Sequence, residues 1–198
     1  TFGPHHRFTF APLGIGEWPG MPESEWQVGK IPLQYFIFPN TILSVGSTVL
    51  ALLIAVPAAW SMAFSPTKRT KDILMWMLST KMMPAVGALV PIYVLAQLSG
   101  LLDSRTALII IFTLSNLPIM VWMLYSAFKE VPNDILEAVR RDGATVWDEF
   151  RHALLPLTMG GIASTGLLCL VLAWNEAFWS LTLTSANAGT LAALIAQY

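Results

Sequence analysis

Few side chains in this sequence are placed to do covalent chemistry. His5, His6 and His152 lie outside the long apolar runs, and no Ser/His set, aspartate pair or metal-ligating cluster falls inside them. No stretch has the glycine, four residues, glycine-lysine, serine-or-threonine spacing whose backbone amides cradle phosphates. No catalytic, metal or cofactor set is therefore assigned, and ATP binding by this chain is not expected. What remains is a sparse polar set within or at the ends of apolar segments. Lys81 is the one charge well inside a run, about 12 Å beyond Ile73 at the usual helical rise. A charge at that depth is a candidate functional group by default. Asn116, Trp122, Asn175 and Glu176 add amide, ring and carboxylate groups that could contact a polar ligand. Each has a plainer alternative: Lys81 reaching back toward the interface or pairing with another helix, and the others serving as ties between helices.

The elements that must position these groups are membrane spans. The 198-residue chain is 55% hydrophobic and 12% charged, half the charge of an ordinary soluble domain at about 25%. Crossing the hydrocarbon core takes roughly 20 consecutive apolar residues. Residues 41–64, 73–98, 106–128 and 153–175 each qualify, and only Lys81 interrupts them with a charge. The expected fold is all-α, a polytopic transmembrane helical bundle with four complete spans. Residues 1–37 read as an external loop, and a further apolar run opens near Thr190, so both ends look cut. Gly46, Ser47, Gly87, Gly160, Gly161, Ser164 and Gly166 would let helices approach closely in lipid. Pro57, Pro84, Pro91 and Pro118 would each remove a backbone hydrogen bond and tend to kink a span. Cys169, the single cysteine, lies within the fourth run and has no intrachain disulfide partner. A net charge of -1 with no basic face excludes nucleic acid as a partner class.

Orientation follows from the Lys and Arg content of the short loops. Lys68, Arg69 and Lys71 mark residues 65–72 as cytoplasmic, and Lys129, Arg140, Arg141 and Arg151 mark residues 129–152 likewise. The loop after Leu98 holds only Arg105, the segment after Trp179 holds no charge, and the leading segment holds only Arg7 and Lys30. Those three are assigned to the outside, and the alternation closes over all four spans.

The second cytoplasmic loop carries its own punctuation. Residues 132–144 read as a short helix, with Asp134 and Glu137 at capping-box spacing and Gly143 suited to a left-handed stop. Thr145 to Asp148 is a second helix start leading to Leu155 and Pro156. Ile135, Ala138 and Val139 share a face and form a small apolar ridge on a loop that should face water. Such a ridge suits a partner's groove. The residues alone leave another reading open, with Glu137 as a capping acid, Gly143 as a helix stop and Trp147 as an interfacial anchor.

The spacing Glu137-Ala138-Val139, three residues, Gly143, nine residues, Ala153, one residue, Leu155-Pro156 resembles the EAA loop of importer permeases. It departs from that pattern at Val139 and Ala153, both of which remain apolar. Trp174-Asn175-Glu176 resembles a signature of carbohydrate-importer permeases, maltose type included. Ser79 to Pro84 and Ala173 to Thr184 resemble the mannitol and sorbitol (polyol) branch. The resemblance covers the chain after about Phe38 and implies a subunit of six spans, of which this would be a fragment. It implies a bacterial inner-membrane permease of an ATP-driven importer for a sugar or sugar alcohol. It further implies two ABC ATPase subunits that carry ATP and Mg, a second permease subunit and an external solute-binding protein. Glu137, Ala138, Val139, Gly143, Ala144, Leu155 and Pro156 would then form the ATPase-coupling element. An ion-coupled secondary transporter would need acidic residues inside the spans, and none is there. A structural membrane protein would explain the spans but not the composite loop spacing.

Overall fold

The computed structural model describes residues 34–184 and 190. It is helical throughout its regular elements: α1 (Gln34–Phe64), α2 (Thr70–Met82), α3 (Ala85–Leu98), α4 (Arg105–Lys129), α5 (Asn133–Arg141), α6 (Val146–Asp148), a π-helical segment (Glu149–Leu154), α7 (Leu155–Trp174) and α8 (Phe178–Leu183). Three helices, Ile37–Phe64, Arg105–Lys129 and Val146–Trp174, have the length and apolarity to cross a membrane unaided.

The expected second span, 73–98, is not continuous. It breaks between α2 and α3 at Met83 and Pro84, and the two helices meet the length and apolarity of a crossing only as a bent pair. The cause is local. A residue before proline is pushed out of the α region by the pyrrolidine ring, and Met83 is extended at φ -70 and ψ 130. Pro91 and Pro118 are accommodated inside α3 and α4. The first helix begins at Gln34, so residues 34–37 are helical rather than loop; the rest of the expected external loop lies outside the described residues. The fourth span is longer at its N-terminal end than expected, because α6, the π-helical segment and α7 follow without interruption. The further span expected from about Thr190 also lies outside the described residues, apart from Thr190 itself.

Contacts divide the chain into two units, one comprising Thr1–Gly46, Ala85–Phe112 and Ala173–Tyr198, the other Ser47–Pro84 and Thr113–Leu172. Among the described residues, the first unit holds the turn before α4, and the second holds the loops 65–69 and 130–145. The core of the second unit is built on Ala51, Ala55, Ala59 and Ala63, all buried and four residues apart on α1. They share a cluster with Met120, Val121, Leu124 and Phe128 of α4 and Cys169 of α7. Glycines continue the close packing. A Cβ on Gly161 would lie 2.7 Å from the Ala127 Cβ, and one on Gly166 would lie 3.3 Å from Leu52. The core of the first unit gathers Leu43, Leu108, Phe112, Ala173, Trp179 and Leu183. In it the Asp103 amide donates to the Leu183 carbonyl at 3.0 Å, joining the turn before α4 to the end of α8.

Candidate functional site

The loop between α4 and α7 forms a helix, a glycine turn and a second helix. α5 ends in two bonds, from the Gly143 amide to the Arg140 carbonyl (3.1 Å) and from the Ala144 amide to the Val139 carbonyl (3.3 Å). This is a Schellman turn, which needs a left-handed residue after the helix, and Gly143 supplies it at φ +80. The capping box lies elsewhere than expected. Asp134 and Glu137 do not form one; the α5 N-cap is Pro132, with no side-chain cap bond. The box forms at Thr145 and Asp148, where the Thr145 hydroxyl accepts from the Asp148 amide and the Asp148 carboxylate accepts from the Thr145 amide. Proline's missing hydroxyl explains the first absence, and Thr145 has the side chain the motif requires.

Glu137 points away from the α5 start, and its carboxylate accepts from Arg141 at 3.2 Å with both side chains exposed. Leu136 is the α5 residue turned into the protein. Ile135 and Ala138 face outward, while Val139, expected on the same ridge, is half-buried. Val146 and Trp147 on α6 are also exposed, and Trp147 stacks on Phe150 with centroids 5.7 Å apart. Phe150 in turn meets Trp60 of α1 at 5.3 Å. Ala144 and Leu155 are half-buried and Pro156 is exposed. Pro156 has no N–H and would crowd the His152 carbonyl in an α-helical ladder. The ladder widens before it, the Leu155 amide reaching back to the Phe150 carbonyl.

Two residues that hold this loop together were not legible beforehand. Arg140 donates from Nε to Glu149 Oε2 at 2.6 Å and from Nη2 to Oε1 at 2.8 Å. The Glu149 side chain is 2% exposed and that of Arg140 51%. Hydrogen bonding to this carboxylate raises the Arg140 guanidinium above its ordinary pKa, so it stays charged. The only sequence signal was an Arg and a Glu nine residues apart across a glycine, a spacing with no helical meaning until the turn is known.

The candidate solute residues fall into two groups. In the second unit Lys81 Nζ donates to the Ser115 carbonyl of α4 at 2.9 Å. Ser115 lies in the turn where Pro118 interrupts the amide ladder. Asn116 is buried and Trp122 half-buried. In the first unit the Glu176 carboxylate accepts from the Phe178 amide at 3.1 Å, at the start of α8. Asn175 is exposed. Asn40, also missed, is buried on α1 and donates to the Trp174 carbonyl at 3.3 Å, fixing the Trp174-Asn175-Glu176 turn. Among the described residues no group of three or more His, Cys, Asp or Glu side chains could hold a metal ion.

Residues 55–198 match the family described as binding-protein-dependent transport system inner membrane component. The chain belongs to that family. Membership makes it a multi-pass component of the inner membrane, a transport component rather than an enzyme. A probable ABC transporter permease protein, y4oR of Sinorhizobium fredii, is 33% identical over 79% of this chain and 56% of its own length. The sulfoquinovosyl glycerol transport system permease protein SmoH of Agrobacterium fabrum is 34% identical over 78% of this chain and 54% of its own. The chain thus spans little more than half the length of these curated relatives. In fold it is similar to a chain of a bacterial ABC transporter involved in the import of the acidic polysaccharide alginate. That match has a TM-score of 0.70 and 22% identity, covering 93% of this chain and 67% of the other.

Proposed function

We propose that this family member is a permease subunit of an ATP-driven importer for a carbohydrate, and that its α4–α7 loop is the element engaged by a separate ATPase. The observation that carries the reading is the outward apolar surface of α5, Ile135 and Ala138, stopped by the left-handed Gly143 in a loop assigned to the cytoplasm by charge. Together with exposed Val146 and Trp147 beside it, this surface suits a partner's groove. ATP and Mg would be held by two ATPase subunits, with a second permease subunit and an external solute-binding protein completing the complex. Glu137, paired only with exposed Arg141, remains able to offer its carboxylate to a basic or amide group on the ATPase. The carbohydrate class is supported by the name of the Agrobacterium relative and by the Trp174-Asn175-Glu176 turn. Within that class we favour a sugar alcohol, on the resemblance of Ser79 to Pro84 and Ala173 to Thr184 to polyol permeases. Lys81, Asn116, Trp122, Asn175 and Glu176 are offered as its pathway. The bond from Lys81 to Ser115 marks that lysine as a tie between α2 and α4 as well.

The test is reconstitution of the full-length subunit with its ATPase, permease partner and binding protein in vesicles. Mannitol or sorbitol is expected to stimulate ATP hydrolysis, and ATP to drive uptake. Replacing both Glu137 and Gly143 is expected to weaken ATPase recruitment and uptake together; if both survive untouched, the coupling assignment is wrong. Uptake driven by a proton gradient without ATP would instead establish an ion-coupled transporter.

A further inference from the structure

We propose that Arg140 and Glu149 form a positioning latch that fixes α5 to the helix entering the membrane, so that the coupling helix and the span behind it turn as one piece. The inference rests on the coupling reading above and adds to it the residues that make the loop rigid. Three observations carry it. The pair is bidentate, with both bonds at or below 2.8 Å, and such a fork fixes direction as well as distance. It bridges the Gly143 turn, joining two helical pieces that a single left-handed residue would otherwise leave free to hinge. Glu149 is the one buried acid of a loop whose other charged side chains are exposed or half-exposed. Keeping a carboxylate there costs desolvation, which a merely space-filling position would avoid with an apolar residue.

The latch has a continuation. Phe150, next in the chain, packs on Trp60 of α1, so within this unit a line of contacts runs from α5 through Arg140, Glu149 and Phe150 to a span. The Glu137–Arg141 pair cannot serve this way. It lies within α5, its contact is longer, and both partners are exposed, where an ion pair contributes little. Arg140 and Glu149 are positioning residues; neither is assigned contact with solute or nucleotide.

The experiment uses the full-length subunit assembled with its ATPase, permease partner and binding protein. Amide hydrogen exchange in residues 85–112 and 173–184 is followed with and without ATP and vanadate, beside ATPase retention and hydrolysis rate. In the parent complex ATP is expected to change exchange in these segments. Arg140→Ala and Glu149→Gln are expected to retain the ATPase but to reduce that change by about tenfold, the scale of coupling within one ion-pair network. The exchanged pair, Arg140→Glu with Glu149→Arg, is expected to restore it. Since Arg140→Ala leaves a buried carboxylate unpaired and could unfold the loop, Arg140→Met with Glu149→Leu serves as the second variant. It removes both charges together, and is expected to assemble normally while still losing the ATP response.

An undiminished response in Arg140→Met/Glu149→Leu, or a response that falls only in proportion to lost ATPase binding, overturns the latch alone. A parent complex in which ATP changes nothing overturns the coupling reading, and the latch with it.

Discussion

Arg140 and Glu149 are unequal partners, and the inequality is measurable. Truncating Arg140 strands a carboxylate that is 2% exposed, and an orphaned buried acceptor costs about 1–3 kcal/mol. Replacing Glu149 by glutamine keeps its volume and frees a guanidinium that is 51% exposed and can hydrate, so its cost should be that of a surface pair, about 1 kcal/mol or less. Arg140→Ala is therefore expected to lower the unfolding midpoint of the detergent-solubilised protein clearly more than the volume-conserving Glu149→Gln does. Equal shifts would show that Glu149 is reached by water. Gly143 shows what a sequence can disclose at this scale, because a glycine after a polar helical run has few reasons to exist other than a left-handed stop. The Arg140–Glu149 pair was illegible because its spacing gains meaning only after the turn has folded the chain back. The misplaced capping box has a different cause. Spacing alone admitted Asp134 and Glu137, but the residue preceding the helix is proline, while Thr145 has the hydroxyl the motif needs.

Among helices, neighbouring glycines with opposite surroundings give the sharpest prediction. A methyl group at Gly161 would lie 2.7 Å from the Ala127 Cβ, whereas one at Gly160 meets nothing within 4 Å. Gly161→Ala should force α4 and α7 apart and cost about 1–3 kcal/mol as an overpacked contact. Gly160→Ala should be neutral or slightly stabilising through helix propensity. Thermal unfolding of the two variants checks the contrast, and Ala127→Gly should rescue the first. Both glycines were legible as small residues, but which of them sits at a helix contact was not, since no sequence rule fixes the rotation of a helix whose whole circumference is apolar. The same ambiguity hid the ladder of Ala51, Ala55, Ala59 and Ala63, which builds the core of the second unit more than any glycine does. It also hid the break at Pro84. Four prolines were expected to perturb spans, yet α1, α3 and α4 contain Pro57, Pro91 and Pro118 while the residue before Pro84 leaves the helix. Proline chemistry is local, and whether a helix resumes in line is decided by packing.

At the scale of the molecule, the sides assigned to the helix ends rest on composition and loop charge. The broken pair α2 and α3 is where the inference is most exposed, since a bent helix pair at such a break suits either one broken span or a re-entrant loop. The two readings differ in a single observable. A broken span puts residues 65–69 and 99–104 on opposite faces of the membrane, and a re-entrant loop puts them on the same face. With Cys169 replaced by alanine to remove the native thiol, Lys68→Cys and Ser99→Cys, both at exposed positions, can be labelled in intact cells by a membrane-impermeant maleimide. Ser99→Cys is expected to react from outside and Lys68→Cys only after the membrane is opened. Protection of both would make α2 and α3 re-entrant, invert every assignment after Pro84 and place the α5 loop outside. The ATPase would then have nothing to grip. The orientation of one bent pair thus carries the coupling proposal, which is why this labelling should precede any test of the loop itself.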